Sequence, residues 1–92
     1  MEFETSIVIL FKEYFTINDL IDVTDGMMKK WKQDIIDNFS NEYPVNIIME
    51  LFKIPKNYKK QIEDRQYNIN IIKYEIDSNN KTICFHILLK IK

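Results

Sequence analysis

The sequence predicts a small α+β domain: an antiparallel sheet, built from a C-terminal hairpin and an N-terminal strand, covered on one face by three to four helices. Three observations carry that prediction. Two runs near the C-terminus alternate apolar and polar residues with a period of two. An asparagine pair separates them. The middle of the chain places its apolar residues at helical spacing instead.

The hairpin comes first. From Tyr67 to Asp77 the apolar residues are Tyr67, Ile69, Ile71, Ile72, Tyr74 and Ile76, and from Lys81 to Lys92 they include Ile83, Phe85, Ile87, Leu89 and Ile91. Ser78-Asn79-Asn80 lies between the runs, and asparagine tolerates the positive φ that a tight primed turn demands. With Asn79-Asn80 as the central turn residues, Ile76 faces Ile83, Tyr74 faces Phe85 and Ile72 faces Ile87. Cross-strand pairs of this kind contribute roughly 0.2–1 kcal/mol each. Adjacent Ile71 and Ile72 then break the phase. Either a β-bulge sets both against Ile87, bringing Leu89 to Ile69 and Ile91 to Tyr67, or Ile71 turns to the other face beside Leu88. Cys84 and Leu88 make the second run apolar on its other face too, the pattern of a strand inside a sheet, so a third strand is expected beside it.

Phe3 to Phe15 supplies that strand through Ile7, Val8 and Ile9, although Ile7, Leu10, Phe11, Tyr14 and Phe15 also fit a helix. Thr16 to Val23 reads as a short helix, with Thr16 as its cap and Asp19 in its first turn. Thr24-Asp25-Gly26 interrupts, placing the one glycine of the chain where the backbone needs freedom. Met27 to Phe39 is the clearest helix, with Met28, Trp31, Ile35 and Phe39 on one stripe and Met27 and Ile36 widening it. Ser40 to Tyr43 is a connection. Pro44 suits the first turn of the next helix, Val45, Ile47, Ile48, Leu51 and Phe52 give it an apolar face, and Ile54-Pro55 ends or kinks it. A last helical piece, Lys56 to about Arg65, has only Tyr58 and Ile62 as apolar positions and is expected on the solvated surface.

The 92 residues are read as a single α+β domain, 1–92. A 46% hydrophobic content with mixed charge is a folding composition, not a disordered one. Alanine is absent, glycine and arginine occur once each, and isoleucine, lysine and asparagine abound, as in an AT-rich bacterial, viral or plasmid-borne coding sequence. A net charge of −1 sets up no global field for nucleic acid or an anionic membrane, so either would need a local patch. One cysteine excludes an internal disulfide framework and fits a reducing compartment. The apolar run from Ile7 to Phe11 is far short of a membrane span, and Glu2 and Glu4 precede it where a signal segment would be positive. The expected location is the cytoplasm of a host cell, with no membrane partner.

Residues that carry chemistry are sparse. Cys84 and His86 point to one face of a strand and are the only Cys and His of the chain, whereas a zinc site needs about four ligands, so no metal or cofactor is expected. As a thiol and base they would stand roughly 6–7 Å apart, given a rise of about 3.3 Å per residue, too far for activation. A single glycine excludes phosphate-cradling loops, and the Walker, Rossmann and zinc-protease patterns are absent. No enzyme is expected.

Two binding functions are compatible with what is left. The first is a small non-enzymatic phage- or plasmid-type inhibitor that occludes a host protein, for example a defence nuclease. An open sheet edge near Asn68 to Lys73 would accept a partner strand, with Tyr43, Tyr58 and Tyr67 as aromatic anchors. The alternative is a helix-turn-helix or winged-helix-like DNA-binding regulator with Met27 to Phe39 as recognition helix. There Lys29, Lys30 and Lys32 meet phosphates, Gln33 reads a base edge, Lys81 tips a wing, and Lys53, Lys56, Lys59 and Lys60 extend the footprint. Against it, Ser40 to Gln66 separates the wing from the helix, and Asp22, Asp25, Asp34 and Asp37 oppose the phosphate contacts. A homodimer through the sheet edge or the Trp31 helix is compatible with either reading.

Overall fold

The computed structural model describes residues 1–10, 25–77 and 79–92. The short helix expected over 16–23 lies outside them, as do residues 11–15 of the N-terminal apolar segment and Ser78. Among the described residues the order is β1 (Glu2–Leu10), α1 (Asp25–Asp37), a π-helical turn (Asn38–Glu42), α2 (Val45–Leu51), a 3-10 turn (Lys56–Tyr58), α3 (Lys59–Glu63), β2 (Tyr67–Asp77) and β3 (Thr82–Ile91). The three strands form one antiparallel sheet in the order β1-β3-β2, and the three helices pack against it. β1 is the third strand that the two-sided apolarity of β3 calls for.

The hairpin register follows the side-chain pattern. Ile76 pairs with Ile83, Tyr74 with Phe85, Ile69 with Leu89 and Tyr67 with Ile91. The ladder slips by one residue between Ile71 and Lys73. The bulge is therefore real, with Ile71 as the partner of Ile87 and Ile72 as the inserted residue. It keeps isoleucine and tyrosine on the inner face on both sides of the slip. The turn differs from expectation. Asp77 pairs with Thr82, and among the described residues of the turn it is Lys81, at φ 53°, that is left-handed. Asp77 organises this turn: Oδ1 accepts the N–H groups of Asn79 (3.0 Å) and Asn80 (3.1 Å), and Oδ2 accepts Asn80 Nδ2 at 2.7 Å. An acid that accepts main-chain donors two and three residues on builds its own turn.

On the inner face Ile83, Phe85, Ile87 and Leu89 are all buried, together with Tyr67 and Ile69 of β2. The helices bring Ile35, Phe39, Ile48, Phe52 and Ile62 onto that layer. Phe39 is its centre, with edge-on rings of Tyr43 at 4.8 Å and Phe52 at 5.4 Å. No helix among the described residues is long and apolar enough to cross a membrane.

Several helix expectations need correction. α1 starts at Asp25, so Gly26 lies in its first turn and not in a connection, and its φ is not positive. Pro44 stands one place earlier than expected, as the cap of α2 with ψ 147°, its carbonyl accepting from Ile47 and Ile48. The last helical piece is not merely solvated, because Ile62 is completely buried while its lysine neighbours stay exposed.

Both α2 and α3 end in the same motif. Ile54 N–H bonds the carbonyl of Met49 and Lys53 N–H that of Glu50, and Gln66 N–H bonds Gln61 while Arg65 N–H bonds Ile62. These are Schellman closures, which put the residue after the cap in the left-handed region. Glycine usually fills it. Here Lys53 (φ 53°) and Arg65 (φ 55°) do. The one glycine of the chain is elsewhere, so basic side chains take the strained position at both helix ends.

Candidate functional site

The second face of the sheet bears Val8, Cys84, His86 and Leu88. None of these belongs to the buried cluster, and Val8 is 62% exposed. The cause is topological: β3 is central and apolar on both faces, while the described helices all pack on one. Glu4 and Ser6 from β1, and Lys73 and Glu75 from β2, stand around this apolar strip in register with Leu88, His86 and Cys84.

Cys84 and His86 are closer than strand spacing suggests. Sγ lies 3.8 Å from Nε2, against an expected separation of roughly 6–7 Å for parallel side chains. The expectation took the side chains as perpendicular to the strand. Here, outside the buried cluster, they lean together. Glu75, directly across from Cys84, brings Oε1 to 3.8 Å from the same Nε2 and to 3.5 Å from Lys73 Nζ. Three residue types suited to nucleophilic catalysis thus converge. They share one ring nitrogen, whereas a working array needs the thiol on one nitrogen and the orienting carboxylate on the other. Among the described residues no group of three or more His, Cys, Asp or Glu side chains is arranged to hold a metal ion.

The residues singled out for binding do not form one surface. Lys29 and Lys30 are exposed on α1. Lys32 is turned onto the sheet, with Nζ 5.1 Å from the centre of the Tyr74 ring, and Gln33 donates to Asp37 at 2.9 Å. Lys59 pairs with Glu63 at 3.8 Å and Lys60 with Asp64 at 3.7 Å, so the second basic group carries its own countercharge. Lys53 and Lys56 line two different hollows. Tyr43 and Tyr58 are half-buried, edge-on to Phe39 and Phe3. Tyr67 is buried, so it is not the surface anchor expected.

Sequence reasoning missed Arg65. Its Nη2 donates to the Tyr43 carbonyl at 2.9 Å, and its Nη1 to the Phe39 carbonyl at 3.3 Å and to Tyr67 Oη at 2.8 Å. Tyr67 Oη in turn donates to the Phe39 carbonyl at 2.5 Å. A planar fork serves several acceptors at once, which a lysine cannot do. One arginine in a lysine-rich chain was the available signal.

Between β1, β3 and α1 lies a cavity of about 450 Å³, lined among the described residues by Ile7, Ile9, Trp31, Ile35, Ile83 and Phe85, with Asp34 and Asn38 also on its wall. Comparison of the chain with known protein families, with curated proteins and with solved structures finds no match.

Proposed function

We propose that this chain is a non-enzymatic binding protein that engages a host protein stoichiometrically through the open face of its sheet. One observation carries the reading: an apolar strip of Val8, Cys84 and Leu88 lies on the central and edge strands outside the core, ringed by Glu4, Lys73 and Glu75. An apolar centre with a charged rim is the anatomy of a protein interface. The charged groups are of both signs, which suits a protein surface better than a polyanion. Occlusion of a host protein by a phage- or plasmid-borne product is the form of binding that the AT-rich composition favours.

The test is affinity capture from cell lysate with two baits, the wild type and Val8→Asp. Val8 is exposed, so the substitution leaves the core intact. A protein retained in equimolar amount by the wild type and lost with Val8→Asp supports the reading. Equal retention by both baits, or none by either, overturns it.

A further inference from the structure

The exposed apolar residues of β2 call for a partner of their own. Ile72, Tyr74 and Ile76 follow one another at strand spacing and are 50%, 41% and 42% exposed. β2 is an edge strand. Its pairing phase is set near the start, where Lys92 N–H bonds the Gln66 carbonyl. Even-numbered residues of β3 therefore exchange hydrogen bonds with β2, and beyond the bulge their partners are Lys73, Glu75 and Asp77. Tyr74 and Ile76 consequently turn their own N–H and C=O groups outward, to the edge that no described strand pairs with.

We propose that the occupant of this edge is a second copy of the chain, paired antiparallel about a two-fold axis through Tyr74. In that register Tyr74 faces Tyr74 of the second copy. Ile72 faces Ile76, and Lys73 faces Glu75, each twice. A lysine on an edge strand ordinarily discourages pairing. Here Glu75, which meets Lys73 of its own chain at 3.5 Å, stands symmetric to it about Tyr74, so each copy also sets a carboxylate opposite the other's lysine, the self-complementarity a two-fold interface requires. The bulge at Ile72 ends the regular run of β2 that begins at Lys73 and so sets the register of the pairing. The other edge lacks this property: β1 carries Glu2 and Glu4 and no basic residue, so self-pairing there would oppose like charges. The product is a six-stranded sheet, ordered β1-β3-β2-β2-β3-β1, with the helices of both copies on one side. The open face proposed above is then doubled. Lys73 and Glu75 border both surfaces, but the readouts are separate, since Val8→Asp leaves the β2 edge intact and self-association is measured without any other protein, so the two readings fail separately.

The experiment is light scattering on purified protein across a concentration series, with charge variants. The wild type should reach twice the monomer mass. Lys73→Glu and Glu75→Lys each place like charges opposite one another twice and should weaken the dimer by roughly tenfold or more. The double variant Lys73→Glu/Glu75→Lys should restore it. In a Cys84→Ser background, Tyr74→Cys should oxidise to a covalent dimer, since directly opposed residues of a hydrogen-bonded pair lie about 5.5 Å apart at Cα, within disulfide reach. All these positions are exposed or half-buried, and circular dichroism checks that each variant is folded. A wild type that stays monomeric at the highest concentration, or a double variant no better than the singles, overturns the proposal.

Discussion

Arg65 Nη2 donates to the main-chain oxygen of Tyr43 at 2.9 Å, joining the end of α3 to the end of the π-helical turn. The turn closes with Tyr43 N–H on the Asn38 carbonyl, which leaves later carbonyls without helical donors. Arg65 and Tyr67 supply them from the far side of the helical segment. Arg65→Lys keeps the charge and loses the fork. It should lower stability by about 1–3 kcal/mol in urea unfolding, the range for a lost hydrogen bond to a charged donor. Tyr67→Phe, which leaves the Phe39 carbonyl to Arg65 alone, should cost about 1 kcal/mol.

Lys53 offers the opposite case. Its left-handed conformation gains nothing from the side chain that a Schellman closure requires, and glycine adopts it without a Cβ clash. Lys53→Gly should stabilise the fold by about 0.5–1 kcal/mol, the clash relieved less the extra entropy of glycine. Arg65→Gly relieves the same clash and should still destabilise, because it removes the fork. The pair of unfolding curves separates backbone strain from side-chain bonding.

The turn acid predicts a pH effect. Asp77 is held below its ordinary value, chiefly by the Asn80 N–H, then by the Asn80 side chain and the Asn79 N–H. A carboxyl depressed in the folded state stabilises it above the unfolded value, and that contribution is lost as pH falls through the folded one. The gap in urea midpoint between wild type and Asp77→Asn should therefore be widest at neutral pH and shrink below about pH 4. A gap independent of pH would show that Asp77 acts only by its shape.

α3 tests how a sparsely apolar helix is held. Ile62 is fully buried, so Ile62→Ala should cost about 2–5 kcal/mol, while Lys59→Ala, three residues away and exposed, should fall within about 0.5 kcal/mol of the wild type. Denaturant midpoints at unchanged slope are the measurement.

The DNA-binding alternative makes a prediction as well. With Lys32 over Tyr74, Gln33 bonded to Asp37, and Lys59 and Lys60 paired, a mixed-sequence duplex should show no gel shift even at low salt. A shift that weakened steeply as salt was raised would count phosphate contacts and return α1 as a recognition helix.

What the sequence determined by itself is the sheet. Side-chain alternation in a strand has a period of two, so one slipped residue reverses every face. The pairs Ile76–Ile83 and Tyr74–Phe85 follow from the alternation alone, and β3, apolar on both faces, called for a further neighbour; the bulge and the Ile69–Leu89 pair were one of two readings, and the structure chose between them. Tertiary structure alone decided the rest. Which residue takes a left-handed backbone was not legible, because Lys53, Arg65 and Lys81 carry no local signal for it and Gly26 sits in a helix. Likewise the sequence separation of 26 from Phe39 to Arg65 conceals their contact, since a hydrogen bond at that separation depends on where α2 and α3 return the chain. The meeting of Cys84, His86 and Glu75 depends on the register in which β2 pairs with β3. Local spacing fixes faces and phases; the meeting of distant carbonyls, forks and exposed faces is set only when the helices have settled on one side of the sheet.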